Sequence, residues 1–249
     1  MCAITWSAAA CHYMAWPGVA VYTFDASGLV TSFAEPGVAP RDVQRVFLRA
    51  VLPAAHQRLG WQALHASAVL TSRGVLLFAA RSGHGKSTLA YACRHSGLTQ
   101  WADDSVVIGL TDAGAISLAL PFDFSLRPET TRFFHPERGD GVQLLGRVER
   151  ASPDTAPVAG ICLLHRFDEE GDVRIARVEP ALAFERLLPH ACTFSMAELE
   201  QRRRTLEEYL DLSTRVAVWD LRYPAGLHRL AGVVETLIHH VETQPTGAA

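Results

Sequence analysis

Five residues, Gly83-His84-Gly85-Lys86-Ser87, lie between an apolar run from Gly74 to Ala80 and a helical stretch from Ser87 to Ser96. Strand, glycine-rich turn and helix in that order are what a phosphate-binding loop requires. Glycines let the backbone curl until several N–H groups point at one anion, and the helix adds the positive end of its dipole. A lysine placed as Lys86 is reaches the β- and γ-phosphates as a point charge. A hydroxyl placed as Ser87 is holds a magnesium ion that bridges the same oxygens. The expected ligands are therefore ATP and Mg2+, held by Ser82, Gly83, His84, Gly85, Lys86, Ser87 and Thr88. The pattern is the relaxed form A-x-x-x-x-G-K-S, since Ala80 stands where glycine is usual and a left-handed backbone would be costly for alanine. The competing reading is an ordinary strand-to-helix turn with a surface lysine; the flanking strand and helix argue against it.

Downstream, Trp101-Ala102-Asp103-Asp104 precedes a short apolar strand, Val106 to Ile108. Successive strand residues face opposite sides, so an extended segment would aim only one of Asp103 and Asp104 at the phosphates. The other would bind metal from a loop geometry or hold its partner in place, unless the pair is a solvated turn. Upstream, His65 falls in a strand-like run from Leu64 to Leu70; on chemistry alone it reads as a hydrogen-bonded strand histidine. Arg127 could offer positive charge to a transferring phosphoryl group, or be a surface arginine.

Taken together, LHASAV, GVLLFAARSGHGKSTLA and WADDSVVI resemble the catalytic domain of HPr kinase/phosphorylase and its relatives. The resemblance covers residues 64–108 and continues beyond them only as an order of elements. It implies that Lys86 and Ser87 handle phosphates and magnesium and that Asp103 accepts the proton of the substrate hydroxyl. It also implies that Asp104 supports the metal or the base, and that His65 lies close to the reacting phosphate. The chain departs from the family in having only a short segment before His65, and no glutamate and arginine followed by glycines after Ile108. Phosphorylase activity and HPr itself as substrate are therefore not implied. The shorter kinase-like relatives fit better, such as the peptide-tailoring kinases of lasso-peptide clusters, which phosphorylate a serine on a small ribosomal peptide. The implied activity is ATP- and Mg2+-dependent phosphorylation of a serine on a peptide or small protein, and oligomeric relatives imply a homo-oligomer. A small-molecule kinase and a non-catalytic nucleotide-binding regulatory module are the rival readings. Ala80 and the missing downstream segment favour the module, whereas the intact Lys86-Ser87 and Asp103-Asp104 pairs oppose it.

The elements that must position these groups predict an α/β fold: a mixed central sheet around the P-loop with flanking helices, plus a small N-terminal β-hairpin and helix. Residues 1–60 are expected to pack as that hairpin and helix on a kinase-like domain at 61–242, leaving a frayed tail at 243–249. The hairpin is Val19 to Phe24 with Leu29 to Phe33. The helix carries an apolar face through Val43, Val46, Phe47, Ala50, Val51 and Ala54, and Pro53 should kink or end it. After Ile108, Asp112-Ala113-Gly114 reads as a hairpin turn and Pro121 to Pro128 as an irregular or strand-ending segment. Arg132 to Asp154 reads as a mobile surface segment suited to a lid or an acceptor-binding loop. Ile161 to Phe167 and Val173 to Val178 suggest a second hairpin. Helices follow at Pro180 to His190 and Ser195 to Leu212, a strand at Thr214 to Leu221, and a last helix from Leu227. On that helix the adjacent His239 and His240 diverge too much to share a ligand.

With 249 residues, 49% of them hydrophobic, and a formal charge of −3, the chain has the composition of an ordinary globular protein. It lacks the basic field that gathers nucleic acid or an anionic membrane, so neither partner is expected. Arg202-Arg203-Arg204 reads as a solvated helix face. Five scattered cysteines with no C-x-x-C pair read as reduced thiols. With no basic, apolar leader and no run of 18 apolar residues, a cytoplasmic location is expected.

Overall fold

The computed structural model describes residues 4–8, 11–25, 27–150, 152–192 and 199–244. The chain opens with a four-stranded antiparallel sheet in sequential order: β1 (Ile4–Ala8), β2 (Cys11–Trp16), β3 (Ala20–Phe24) and β4 (Val30–Ala34). The hairpin expected from the sequence is its second half; the two strands before it were not expected. Alternation in β3 sends Ala20, Tyr22 and Phe24 inward against Val51, Ala54 and Ala55 of the following helix.

That helix does not end at Pro53. It runs as α1 (Pro40–Val46), a π turn (Phe47–Val51) and α2 (Leu52–Arg58), with the Leu52 N–H bonded to the Phe47 carbonyl. Pro53, which has no N–H to give, falls in the first turn of α2, directly after the widened turn, so the helix continues instead of breaking.

Next come β5 (Gln62–Leu64) and β6 (Ala66–Thr71), then β7 (Gly74–Ala79), α3 (Lys86–His95), β8 (Thr99–Ala102), β9 (Val106–Thr111) and β10 (Gly114–Leu118). A ribbon follows: β11 (Phe122–Leu126), α4 (Pro128–Phe134) and β12 (Leu144–Val148). The chain closes with β13 (Thr155–Phe167), β14 (Arg174–Arg177), α5 (Pro180–Leu187), α6 (Leu199–Arg215), β15 (Val218–Pro224) and α7 (Leu230–Thr243).

The central sheet is mixed and has β13 at its middle. β7 and β15 flank β13 and run parallel to it, while every other pairing in this sheet is antiparallel. β7 is buried on both faces, which is why its sequence is an unbroken apolar run. Val75, Leu77 and Ala79 face a core shared with α5 and α6, and Leu76 and Phe78 face a second core shared with α3 and α7. Truncating Leu77 to alanine should cost about 2–5 kcal/mol for that reason. At Gly160 in β13 a Cβ would lie 2.0 Å from the Trp219 ring, so the close approach of β13 and β15 depends on glycine.

Several expectations are corrected here. Leu64 to Leu70 is not one strand: β5 pairs with β9 and β6 with β7 and β8, and the chain bends between them at His65. β14 pairs with β15, not with β13, so the second hairpin does not exist; the return strand is separated from β13 by β15. Pro121 to Pro128 contains a regular strand. Arg132 to Asp154 is not a loose segment, since it contains the end of α4 and β12, whose partner is β11. Phe122, Phe124, Leu126 and Leu144 pack with Tyr91 into a small core that fixes this ribbon to α3. Thr214 and Arg215 belong to α6 instead of the last strand. The expected start of α6 at Ser195 and the end of the tail lie outside the described residues. Among the described residues, no helix is long and apolar enough to cross a membrane.

Candidate functional site

β7 delivers the chain to the turn Ala80–Gly85, and α3 begins at Lys86. Gly83 and Gly85 take positive φ, 82° and 94°, while Ala80 does not, so the alanine in the first position carries no left-handed strain. A Cβ on Gly85 would meet the Tyr223 hydroxyl at 2.9 Å, and one on Gly83 would lie 3.3 Å from the Arg127 guanidinium. The loop is thus closely wrapped, with a phenol on one side and a cation on the other.

Lys86 is buried at the head of α3. Its Nζ donates to the Ala80 carbonyl at 2.9 Å and to His65 Nε2 at 3.1 Å, leaving one of its three N–H donors. Burial lowers its pKa, opposed by Asp104 and then Asp103. The Asp104 carbonyl can only accept, so His65 Nδ1 carries the hydrogen and donates to it at 2.8 Å, while Nε2 accepts the hydrogen bond from Lys86. His65 is placed for this by the bend between β5 and β6, where its own N–H donates to the His190 carbonyl at 2.7 Å. Burial, with Lys86 next, pushes His190 down to about 4, so it backs the site as a neutral ring.

Asp103 follows the last residue of β8 and is only 7% exposed. Its Oδ1 accepts from Ser67 Oγ at 2.5 Å and from Ser87 Oγ at 2.8 Å. Burial nevertheless pushes its pKa up to about 6, because two neutral donors do not replace the hydration of a carboxylate. Asp104 has φ +65°, the only positive value at a non-glycine among the described residues. With that left-handed step the segment is not extended throughout, and both carboxylates line the same cleft. Asp104 meets Arg49 Nε at 2.9 Å across the cleft.

The cleft, of about 1120 Å3, brings together Ser82, Gly83, Gly85, Lys86, Ser87, Thr88, His65, Asp103 and Asp104. His84 is the exception. It is exposed, its backbone N–H donates to the Arg81 carbonyl, and its ring rests on the Ser82 carbonyl. Arg127 also faces the cleft. Sequence reasoning missed Ser67, Tyr223, Arg147 and the arginines of the N-terminal helix. Of these only Arg41, Arg45 and Arg49 left a trace, a four-residue spacing opposite the apolar face.

A scan against protein-family models and a search of curated proteins both found no match. No family is therefore assigned. Among solved structures the chain is similar to the Hpr(Ser) kinase/phosphatase from Coxiella burnetii, at 11% identity and a TM-score of 0.38, over 74% of this chain and 99% of that one. A likeness that distant gives no residue of this chain its role.

The residues themselves fit a metal-bound nucleotide. Among the described residues no three His, Cys, Asp or Glu side chains are grouped to hold a cation. Magnesium does not need such a cage, since it takes one or two protein oxygens and completes its shell with phosphates and water. Ser87 and the buried, under-compensated carboxylate of Asp103 offer those oxygens next to a glycine turn that Lys86 follows and the Arg127 guanidinium approaches.

Proposed function

We propose that the chain is a kinase that moves the γ-phosphoryl group of ATP, with Mg2+, to a hydroxyl on a peptide or small protein, serine being the acceptor of choice. One hydrogen-bonded cluster carries the reading: Ser87 to Asp103, Lys86 to His65, and His65 to the Asp104 carbonyl. It ties the loop, the carboxylate pair and the upstream histidine into one unit at the floor of the cleft. Phosphoryl transfer asks for positioning and charge stabilisation more than for covalent chemistry, and these groups supply both.

In this reading the loop amides, Lys86 and Arg127 hold the phosphates. Magnesium held by Ser87 and Asp103 would supply further positive charge beside the transferring group. Two properties of Asp103 pull its role in different directions. A pKa near 6 suits proton transfer, whereas sharing its oxygen with the Ser87 hydroxyl suits the metal side. A cation beside the carboxylate would lower that pKa, so the first property does not outlast loading of the site. We therefore give the metal side to Ser87 and Asp103. Orientation and deprotonation of the acceptor go to Asp104, the more open of the two, which reverses the roles implied by the family resemblance.

The test is incubation of the purified protein with Mg2+, γ-labelled ATP and serine peptides, followed by mass analysis of every component. Gain of one phosphate on a peptide supports the kinase; ATP bound without transfer to any acceptor refutes it. Asp103→Asn is expected to weaken Mg2+-dependent nucleotide binding, and Asp104→Asn to keep binding and lose transfer. If Asp103→Asn instead binds normally and fails only in transfer, the base is Asp103.

A further inference from the structure

The N-terminal helix places three arginines, Arg41, Arg45 and Arg49, along the cleft. Steps of four residues drift by about 40° each on a regular α-helix. Here the third arginine lies in the π turn, whose wider winding offsets that drift and brings Arg49 back into line with the other two. The helix is held in this position at two points. Arg49 pairs with Asp104, and Gln44 Oε1 accepts from Arg147 Nη1 at 2.6 Å, while Arg147 itself grips Asp123 through two nitrogens.

Two arginines of this row have a carboxylate partner, Arg49 in Asp104 and Arg45 in Asp42. Arg41 has no ion pair among the described residues. Arg41 and Arg45 are both exposed, so the charge faces the open part of the cleft. The nucleotide reading gives its phosphate contacts to the loop, Lys86 and Arg127, and assigns none to Arg41 or Arg45, which line the same cleft.

Resting on the kinase reading above, we propose that this row binds an acidic acceptor peptide in extended form, with Asp or Glu at alternate positions on one side of the accepting serine. The spacing carries the proposal as much as the charge does. Four residues of helix advance about 6 Å, and two residues of extended chain advance about 6.6 Å. Three arginines at that interval therefore match side chains on one face of a strand. Arg49 touches Asp104, so the peptide would enter the reacting centre at that end of the row, and its serine would lie nearest Asp104.

The experiment measures binding separately from transfer. Two serine peptides, one with Glu at the second and fourth positions from the serine and one with Gln there, are titrated into the full chain loaded with Mg2+ and a non-hydrolysable ATP analogue; both sequence directions are tried. Two exposed charge pairs at the upper end of their usual strength give about a tenfold preference for the Glu peptide. That preference should shrink as salt rises. The double variant Arg41→Glu, Arg45→Glu should abolish the preference and favour a Lys peptide instead. Equal affinity for Glu and Gln peptides, or a preference that survives the double variant, overturns the proposal. So does citrate binding with the same dependence on Arg41 and Arg45, which would assign the row to a small polyanion. Failure of the analogue to bind at all would instead refute the kinase reading, and peptide affinity measured without nucleotide would still judge the arginine row.

Discussion

Replacing Asp103 by asparagine should make the metal-free protein more stable at neutral pH. Asp103 is buried, and its pKa rises from 3.8 to about 6 chiefly through desolvation. Because the folded pKa lies above the unfolded one, the folded chain binds more protons between these values. Stability therefore falls as pH rises from about 4 to about 6 and is flat above. At about 1.4 kcal/mol for each tenfold change in proton affinity, the ionised carboxylate costs about 3 kcal/mol at pH 7. An asparagine keeps an oxygen for the Ser67 and Ser87 hydroxyls and carries no charge. Losing the attraction of the nearby Lys86 ammonium takes back part of the gain, which leaves about 1–3 kcal/mol. For a chain of this size that is a rise in Tm of about 2–10 °C. Thermal unfolding of both proteins in EDTA at pH 4 and pH 7 is the assay. The gain should appear at pH 7 and nearly vanish at pH 4. A variant less stable than its parent at pH 7, or one equally stabilised at both pH values, would refute the reasoning that Asp103 is a carboxylate left wanting a cation.

Lys86→Ala should lose nucleotide affinity and transfer together; equilibrium binding that is unchanged would remove the lysine from the phosphate site. Arg49→Ala should change stability by no more than about 0.5 kcal/mol, because the pair is largely exposed, yet raise the KM for a peptide acceptor severalfold; chemical denaturation and steady-state kinetics separate the two effects. Gly85→Ala combines a positive φ with a 2.9 Å contact to the Tyr223 hydroxyl and should cost about 1–3 kcal/mol along with nucleotide binding. Gly160→Ala is the contrasting case. Its 2.0 Å clash with Trp219 should destabilise by more than about 3 kcal/mol while the protein that remains folded binds nucleotide normally.

The legible parts of the fold were those whose signal is local. The apolar run of β7, the glycine turn, α3 and the β9–β10 hairpin all follow from neighbouring residues. Pairings decided by distant chain did not. Nothing within Val173 to Val178 says that β15 will come between it and β13, because that choice rests on the Trp219–Gly160 fit made elsewhere. His65 was found as a residue but not as a bend, since the apolar residues on both sides continue a strand pattern that belongs to two different strands. The turn at the carboxylate pair could not be read locally because a left-handed aspartate is rare, and it is held by distant residues: His65 bonds to the Asp104 carbonyl, and the Ser67 and Ser87 hydroxyls bond to the Asp103 carboxylate. The arginine row was visible as spacing, but which side of the helix would meet a cleft depended on where the helix docks.

The bend at Asp103 and Asp104 has a consequence for anyone redesigning this protein. A procedure that scored sequences only for how well they suit the backbone would write glycine at 104, where φ is +65°, and an uncharged residue at 103, where a carboxylate is desolvated. Both substitutions would raise the melting temperature, and both would remove an oxygen from the floor of the cleft. The two adjacent positions at which comfort and chemistry disagree are the ones to which the proposed reaction gives the metal and the base. A library selected for heat resistance alone should drift away from aspartate there first.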